Sequence, residues 1–294
     1  MPRPTVSSIT SHASSSILER LQAVGRSHDD VRRYSRGRRN LLPRADNVIT
    51  VVGAWAHEVL LGTDAVVDVS LWCPGDTASA RSGDAGLDDL AARVVARAQR
   101  AFRVSPRVLA ALQPDVTAPA LVSLVRLPDW SSAVVLTQQA RLVLVADGIE
   151  YAGNLGTLVR TADACAADAL VLTRATARVT HPKVFAASRG TVLTTPVLTY
   201  PTVAEARVAL ASAGFTAYVA DPAGTTRYRD AGLGSGRTAV VVGSEGDGVS
   251  EEWRHGLTRV AIPMRGRADS LNVAVSAAVL LFEARARLDA IHDG

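Results

Sequence analysis

Three loops that combine glycines with polar residues could perform chemistry on a bound ligand. The first runs from Asp147 to Arg160 and contains Gly-Asn-Leu-Gly at positions 153–156. These glycines let the chain turn tightly into a helix, where free backbone N–H groups favour an anion. Asn154 and Arg160 are six residues apart and can face one cavity. A structural turn beside a surface arginine would give the same pattern.

The second loop reads Gly-Ser-Glu-Gly-Asp-Gly over residues 243–248. It is not the dinucleotide-binding fingerprint, because an acid stands where the middle glycine should be. It is not a Walker loop either, because no Gly-Lys-Ser or Gly-Lys-Thr follows. An enzyme of Rossmann type is therefore a poor alternative. A glycine-lined loop with one inward carboxylate suits a ligand that has ribose hydroxyls or a cationic centre. The other interpretation is a glycine-rich connection whose acids face water.

The third loop runs from Ile262 to Asn272 and opens the last helix of the chain. Ser270 and Asn272 stand at the helix start, where such residues usually serve as caps. Three loops of this kind after three strands of one sheet favour a functional role instead. An open α/β sheet binds its ligand at the carboxyl ends of its strands, which is where all three loops lie.

The second half of the chain alternates short apolar strands with helices, which predicts a parallel sheet covered on both faces. Predicted strands are Leu142 to Val145, Ala169 to Leu172, Thr216 to Ala220, Thr238 to Val242 and Arg259 to Ile262. Predicted helices are Thr157 to Ala167, Pro182 to Arg189, Val203 to Ala213 and Leu271 to Ile291.

The first half predicts a smaller α/β domain, and Leu127 to Ser132 breaks every period before the second begins. Its predicted strands are Val48 to Val52, Ala65 to Trp72 and Leu121 to Val125. Its predicted helices are Ser15 to Val24, Ala54 to Leu60, Leu87 to Phe102 and Pro106 to Leu112. We expect a surface loop over Cys73 to Gly83, and a loop or frayed helix in the arginine-rich segment that ends at Arg44.

Composition places the chain among globular proteins. Its 294 residues are 48% apolar and 20% charged, which is enough for two cores. No apolar run is as long as a membrane span, and the first residues lack a signal-peptide core, which favours a cytoplasmic protein. Cys73 and Cys165 lack the spacing of a metal site or a disulfide framework, so we expect neither.

Basic residues are concentrated at the start of the chain. Residues 1–44 hold nine arginines against three acids, whereas the whole chain has a net charge of only +4. A basic end on a near-neutral body suits contact with phosphate, and arginine also stacks on bases, which favours RNA. A solvated basic tail is the alternative. The candidate RNA-binding residues are Arg20, Arg36, Arg38, Arg39 and Arg189.

Taken together, the three loops resemble the motifs of the SpoU (TrmH-type) RNA 2′-O-ribose methyltransferases. These motifs are Asn154-x5-Arg160, Gly243-x-Glu245-x2-Gly248, and Ile262-Pro263-Met264 followed by Ser270-Leu271-Asn272-Val273. The similarity spans residues 142–288 and keeps their order and spacing. It implies a SPOUT fold with a deep trefoil knot, S-adenosylmethionine as methyl donor, no metal ion, and a homodimer with its site at the subunit interface.

The resemblance also implies roles for individual residues. The S-adenosylmethionine pocket would be formed by Gly243, Gly248, Ile262, Met264 and Leu271. The catalytic residues would be Asn154, Arg160, Glu245, Ser270 and Asn272. The family assigns activation of the hydroxyl to the arginine, although a guanidinium normally stays charged and has no lone pair to accept a proton. We therefore expect Arg160 to bind the target phosphate and stabilise the developing alkoxide, with general-base action left open.

The expected organisation is a basic RNA-contacting extension over 1–44, an RNA substrate-binding domain over 45–127, a linker over 128–138 and a catalytic SPOUT domain over 139–294. The segments Ile9-Thr10-Ser11 and Val51-Val52-Gly53 through Leu60 fit, less closely, the extra domain of rRNA-modifying members of the family. That domain favours 23S rRNA as the substrate and leaves a role in antibiotic resistance open. The alternatives are a tRNA 2′-O-methyltransferase and a non-catalytic ribosome assembly factor that binds RNA.

Overall fold

The computed structural model describes residues 16–74, 84–114 and 120–292. The motif Ile9-Thr10-Ser11 and most of the predicted loop Cys73 to Gly83 lie outside these residues. The chain forms two compact units, one from Met1–Leu127 with Thr180–Phe185 and one from Pro128–Val179 with Ala186–Gly294.

The first unit is built on a four-stranded sheet in the order β1-β4-β2-β3. Strand β4 runs antiparallel to β1 and β2, whereas β3 is parallel to β2. The strands are β1 (Val48–Val52), β2 (Val66–Trp72), β3 (Ala98–Arg103) and β4 (Leu121–Arg126). The helices are α1 (Asp29–Arg38), α2 (Gly53–Leu61), α3 (Asp84–Arg97) and α4 (Pro106–Leu112). This confirms the predicted smaller α/β domain.

Helix α3 ends earlier than predicted. The apolar period predicted a helix to Phe102, but the chain leaves the helix at Arg97 and continues as the edge strand β3. Residues 98–103 pair with the buried strand β2, and this tertiary pairing overrides their local helical pattern. The Arg97 guanidinium donates hydrogen bonds to the carbonyls of Leu60 and Thr63, so it caps the end of α2.

The prediction of a loop or frayed helix in the arginine-rich segment is wrong. Helix α1 occupies residues 29–38 and buries Val31 and Tyr34 in the core of the first unit. The other buried residues of α1 are Asp30 and Gly37, so its inward face has only two apolar side chains, which is too sparse for a periodicity argument. The predicted helix Ser15 to Val24 is also shorter, because helical structure covers residues 16–19 only and residues 22–24 pair with β3.

The second unit is built on a seven-stranded sheet in which every described pairing is parallel, in the order β7-β6-β5-β10-β8-β11-β9. The strands are β5 (Leu142–Asp147), β6 (Ala169–Thr173), β7 (Val197–Tyr200), β8 (Thr216–Ala220), β9 (Thr226–Arg227), β10 (Thr238–Val242) and β11 (Thr258–Ala261). The helices are α5 (Ser132–Val135), α6 (Ala152–Ala164), α8 (Val203–Ser212), α9 (Glu251–Arg254) and α10 (Val273–His292). A further helix, α7 (Pro182–Ser188), is divided between the units, because its residues up to Phe185 belong to the first. The predicted parallel α/β sheet is confirmed, while the trefoil knot stays a prediction.

Strand order brings the three polar loops to one edge of this sheet. Strand β10 lies between β5 and β8, and β11 is the next strand beyond β8. Because all four strands are parallel, the loops that follow β5, β10 and β11 leave the sheet at the same edge. The first loop is shorter than predicted, since α6 begins at Ala152 rather than at Thr157. Asn154 therefore lies in the first turn of a helix.

A glycine fixes the approach of the chain to α10, the helix that follows the third loop. Gly234 has a φ of +77°, and a Cβ atom added there would lie 2.3 Å from the carbonyl oxygen of Ala284. Any side chain would therefore combine left-handed strain with a backbone clash. The segment around Gly234 is further held by Arg287, which donates a hydrogen bond to the carbonyl of Ala231. These contacts fix one side of α10.

We expect Gly234→Ala to lower the free energy of unfolding by about 2 kcal/mol or more, from strain and overpacking. Gly236→Ala is the matched control, because a Cβ atom there meets nothing within 4 Å. It should leave the stability unchanged or raise it by a few tenths of a kcal/mol. Urea unfolding of both variants checks this. Equal stabilities would contradict the close packing of this segment on α10.

Candidate active site

Three side chains from three loops share one carboxylate oxygen. The Nδ2 group of Asn154 donates to Oε1 of Glu245 at 2.9 Å, and Nδ2 of Asn272 donates to the same oxygen at 2.5 Å. Asn272 Nδ2 also lies 3.3 Å from Oδ1 of Asn154. We call these three residues the polar triad. Sequence positions 91 and 27 residues apart thus meet at a single atom, which is what the three-loop hypothesis required.

Asn272 both caps a helix and belongs to the polar triad. Its Oδ1 accepts a hydrogen bond from the backbone N–H of Ala274 at 2.9 Å, as an N-terminal cap of α10 does. Its Nδ2 has two hydrogens, which suffice for the contacts to Glu245 and Asn154. The capping and functional interpretations of Asn272 are therefore compatible. The cap holds the amide in the orientation that the triad needs.

The loop that carries Glu245 is a tight hairpin. Ser244 and Gly248 exchange backbone hydrogen bonds of 3.1 Å in both directions, and the Asp247 N–H donates to Oγ of Ser244. A Cβ atom at Gly243 would lie 2.0 Å from the carbonyl carbon of Gly248. Position 243 therefore admits no side chain unless the hairpin opens. The carboxylate of Glu245 projects from this rigid turn.

A cavity of about 490 Å³ lies beside the hairpin, within the usual range for small-molecule sites. Its wall combines apolar side chains with carboxylates and with the backbone of glycines. The lining residues include the predicted cofactor residues Gly243, Gly248, Ile262, Met264 and Leu271, and the predicted catalytic residues Glu245 and Ser270. Val242, Val260 and Val273 extend the apolar part. An adenine ring fits such apolar walls, and a sulfonium with its amino group fits the carboxylates, so these residues suit S-adenosylmethionine.

Asp221 adds a fixed negative charge to this cavity. It follows β8 and lines the cavity wall. Burial raises the pKa of this carboxyl, but the N–H of Ala223 and the guanidinium of Arg259 outweigh burial and leave the pKa below its usual value. The Arg259 Nε is 2.8 Å from Oδ2 of Asp221. The carboxylate therefore stays ionised at neutral pH.

A second, smaller cavity of about 360 Å³ adjoins the first. It is lined by Ile149, Glu150, Tyr151 and Asn154 from the first loop and by Ser244, Glu245, Gly246, Asp247 and Val273. The hairpin residues Ser244 to Asp247 and Val273 line both cavities. Glu245, the acceptor of the polar triad, thus lies where the two cavities meet. A donor in one and an acceptor in the other would face each other across Glu245.

A buried carboxylate behind the hairpin holds it in place. Asp147, at the end of β5, is fully buried and accepts hydrogen bonds from Thr173 Oγ1 at 2.9 Å and from the Ser250 N–H at 2.9 Å. Nη1 of Arg174 donates a hydrogen bond of 3.3 Å to Oδ2 of Asp147, the oxygen that also accepts from Ser250. The indole N–H of Trp253 donates to Thr173 at 3.1 Å. These contacts tie the residues that follow the hairpin to the ends of β5 and β6.

Arg160 is the predicted catalytic residue that the fold does not bring to the triad within one chain. It lies on the exposed side of α6 and lines neither cavity. Six residues on a helix correspond to a rotation of about 600°, which leaves the side chain roughly 120° away from Asn154. The expectation that Asn154 and Arg160 face one cavity is thus not met within a single chain. Ser270 reaches the cavity, and its Oγ lies 3.4 Å from Oδ1 of Asp269.

The predicted RNA-binding arginines fall into two groups. Arg20, Arg36, Arg39 and Arg189 are exposed. Arg38 is half-buried, and its Nε donates to Oε1 of Gln113 at 3.3 Å, so part of its donor capacity is used inside the first unit. RNA contact by these five residues stays a prediction.

Sequence reasoning did not select Asp147, Tyr151 or Asp221. A carboxylate that ends an otherwise apolar strand was the available indication for Asp147, because burial of such a group needs compensating donors. Tyr151 and Asp221 are surface-type residues in loops, and only the tertiary structure shows that they line cavities. Among the described residues, no cluster of histidine, cysteine, aspartate and glutamate could hold a metal ion. In the same ranges no helix is long and apolar enough to cross a membrane.

Known proteins resemble this chain in sequence and in fold. The model of the SpoU rRNA Methylase family matches residues 141–282. An uncharacterized tRNA/rRNA methyltransferase of Synechocystis sp. is 32% identical over 67% of this chain and 71% of its own length. The 23S rRNA (guanosine(2553)-2′-O)-methyltransferase RlmP of Bacillus subtilis is 30% identical over 63% of this chain and 72% of its own. The SpoU methyltransferase AviRb of Streptomyces viridochromogenes, solved with AdoMet, superposes with a TM-score of 0.73 at 25% identity and covers 88% of this chain and 98% of its own.

The buried carboxylate gives a test of how the hairpin is held. Asp147→Asn replaces one carboxylate oxygen by an NH2 group, which cannot accept the hydrogen bond from Thr173 on one side or those from Ser250 and Arg174 on the other, so we expect the free energy of unfolding to fall by about 2 kcal/mol. We also expect weaker binding of S-adenosylmethionine, by roughly tenfold, because the hairpin loses its anchor at Ser250. Urea unfolding and isothermal titration measure the two effects.

Asp163→Asn is the matched control, because it makes the same replacement of a carboxylate by an amide at an exposed position on α6. Its stability and its affinity for S-adenosylmethionine should equal those of the unchanged protein. If Asp147→Asn also binds with unchanged affinity, Asp147 does not hold the hairpin.

Proposed function

The chain belongs to the SpoU rRNA Methylase family of S-adenosylmethionine-dependent RNA methyltransferases, and we propose that it methylates a ribose 2′-hydroxyl in 23S rRNA. The observation that carries this proposal is the polar triad at the junction of two cavities. The name of RlmP, a relative that acts on 23S rRNA, and the presence of a separate first unit support the choice of substrate.

The larger cavity is the proposed donor site. S-adenosylmethionine supplies a methyl group that is already activated by a positively charged sulfur. Gly243 and Gly248 let the backbone approach the ligand closely, while Ile262, Met264 and Leu271 form the apolar wall. The carboxylates of Asp221 and Glu245 favour a ligand with a cationic centre.

The polar triad is the proposed positioning device for the ribose. Oε1 of Glu245 is saturated by the amides of Asn154 and Asn272, which hold the carboxylate in one orientation. Its other oxygen then points in a fixed direction and can accept a hydrogen bond from a ribose hydroxyl. Methyl transfer needs in-line approach of oxygen to carbon, so such positioning supplies much of the catalysis. Ser270, at the wall of the same cavity, supplies a further hydroxyl.

Arg160 is proposed to act on the site of a second copy of the chain. Within one chain it is exposed and lines neither cavity. A homodimer would bring it to the partner's cavities, where its guanidinium binds the target phosphate and stabilises the developing alkoxide. Helix α10 supports a dimer, because Val275 and Phe282 are 48% and 49% exposed, and spacing of seven residues puts them on one face.

The test of function is transfer of label to RNA. The protein is incubated with methyl-labelled S-adenosylmethionine and, in separate reactions, with unmodified 23S rRNA transcript and total tRNA. Reverse transcription at low dNTP then maps the 2′-O-methyl group. Label in the 23S transcript alone is expected, and its position decides whether the modification lies where it could protect a ribosome from an antibiotic. Label in tRNA alone would show that the substrate is tRNA and would refute the proposed 23S rRNA substrate. No label, with no heat on titration of S-adenosylmethionine, would indicate a non-catalytic RNA-binding assembly factor.

We expect Arg160→Ala to lose most of its turnover, by about 100-fold or more, and to keep its affinity for S-adenosylmethionine within a few-fold. The control is Arg141→Ala, an exposed arginine at the opposite edge of the sheet, which should keep full activity. Unchanged turnover of Arg160→Ala would contradict the role of this residue.

A mixture of two inactive variants tests whether the site is shared between subunits. Arg160→Ala and Glu245→Gln are unfolded and refolded together, so that mixed dimers form. One site of each mixed dimer then combines an intact Glu245 with an intact Arg160 from the partner, and activity should return. If Arg160 acts within its own chain, the mixture stays inactive.

A further inference from the structure

An exposed aromatic ring borders the smaller cavity. Tyr151 is 64% exposed although it is a large, partly apolar side chain, and it lines the cavity with Ile149 and Glu150. Among the described residues its hydroxyl has no hydrogen-bond partner. Aromatic rings usually bury most of their surface, so a ring left open at a cavity wall is available to a ligand.

Local structure fixes the backbone that carries this ring. Tyr151 is the residue before the first turn of α6, and its carbonyl accepts the hydrogen bond from the Leu155 N–H that starts the helix. Asn154 follows three residues later and belongs to the polar triad. Because both residues belong to the start of one helix, the ring is attached close to the triad. A base on the ring can therefore belong to a nucleotide whose ribose lies near Glu245.

The smaller cavity also has the right neighbour. It shares the hairpin wall with the proposed donor cavity. If the ribose of the acceptor nucleotide lies near Glu245, the base of the same nucleotide can lie in the smaller cavity, outside the donor site. The volume of about 360 Å³ is within the range of small-ligand sites. An open aromatic ring at such a wall matches the way in which proteins bind unpaired bases of RNA, by stacking on the ring face.

We propose that the smaller cavity binds the base of the acceptor nucleotide and that the ring of Tyr151 stacks on this base. The inference rests on the proposed methyltransferase function and names the part of the site that positions the acceptor. It implies that the target nucleotide is unpaired when bound, because a base inside a helix has no free face. Stacking accepts any base, so Tyr151 contributes affinity and position rather than choice of base.

Three substitutions at position 151 separate stacking from other effects. Tyr151→Phe keeps the ring, Tyr151→Leu keeps only apolar bulk, and Tyr151→Ala removes both. With unmodified 23S rRNA transcript as the probe, we expect Tyr151→Phe to keep the KM for RNA within about twofold. Tyr151→Leu and Tyr151→Ala should raise this KM about tenfold or more. The dissociation constant for S-adenosylmethionine should be unchanged in all three. Tyr228→Ala is the control, because Tyr228 lies in the same unit and lines neither cavity.

Filter binding of the same transcript without S-adenosylmethionine repeats the comparison with no need for turnover. An unchanged RNA affinity in Tyr151→Ala overturns the inference. So does an RNA affinity of Tyr151→Leu that equals that of the unchanged protein. A shift of Tyr151→Ala from dimer to monomer in light scattering also overturns it, because the ring would then belong to a subunit contact. Absence of methyl transfer by the unchanged protein refutes the proposed function instead, and the binding comparison still decides the role of the ring.

Discussion

The site depends on one shared hydrogen-bond acceptor. Oε1 of Glu245 receives amide N–H groups from Asn154 on α6 and from Asn272 at the start of α10. An ionised acceptor makes stronger hydrogen bonds than a neutral one, so these contacts pull three separate loops to one point. The loops can meet there because β5, β10 and β11 are parallel and end at one edge of the sheet. Loss of the Glu245 carboxylate would remove the acceptor that both amides share, although the cap to Ala274 would still orient Asn272.

The surroundings of the triad are built to keep that geometry. The carboxylate of Asp147 is buried and accepts a hydrogen bond from the N–H of Ser250, two residues after the hairpin, so it anchors the chain where the hairpin ends. Gly243 allows the two arms of the hairpin to come closer than any side chain would permit. Gly234 does the same for the segment that packs on α10. The cavities are thus bordered by backbone whose position is fixed by close packing, as preorganised catalysis requires.

The parallel sheet, the polar loops at its carboxyl edge and most residues of the larger cavity could be predicted from the sequence. Apolar strand patterns and glycine-rich turns are local, and the alternation of strands with helices indicates a parallel sheet. Three features could not be predicted. The change from helix to strand at Arg97 depends on pairing with β2. The inward face of α1 has only two apolar side chains, Val31 and Tyr34, beside Asp30 and Gly37, which gives no apolar period. The separation of Arg160 from Asn154 depends on where α6 begins, because a start at Ala152 places both residues on one helix, with their side chains about 120° apart.

The central claim is that the hairpin from Gly243 to Gly248 and the triad it carries form a site for S-adenosylmethionine. Isothermal titration of the unchanged protein, of Gly243→Ala and of Gly236→Ala with S-adenosylmethionine tests it most directly. A Cβ atom at Gly236, which lines neither cavity, meets nothing within 4 Å, whereas one at Gly243 lies 2.0 Å from Gly248. We predict saturable binding with one site per chain in the unchanged protein and in Gly236→Ala, and no measurable binding in Gly243→Ala. Absence of binding in the unchanged protein, or equal affinity in all three, would contradict the account.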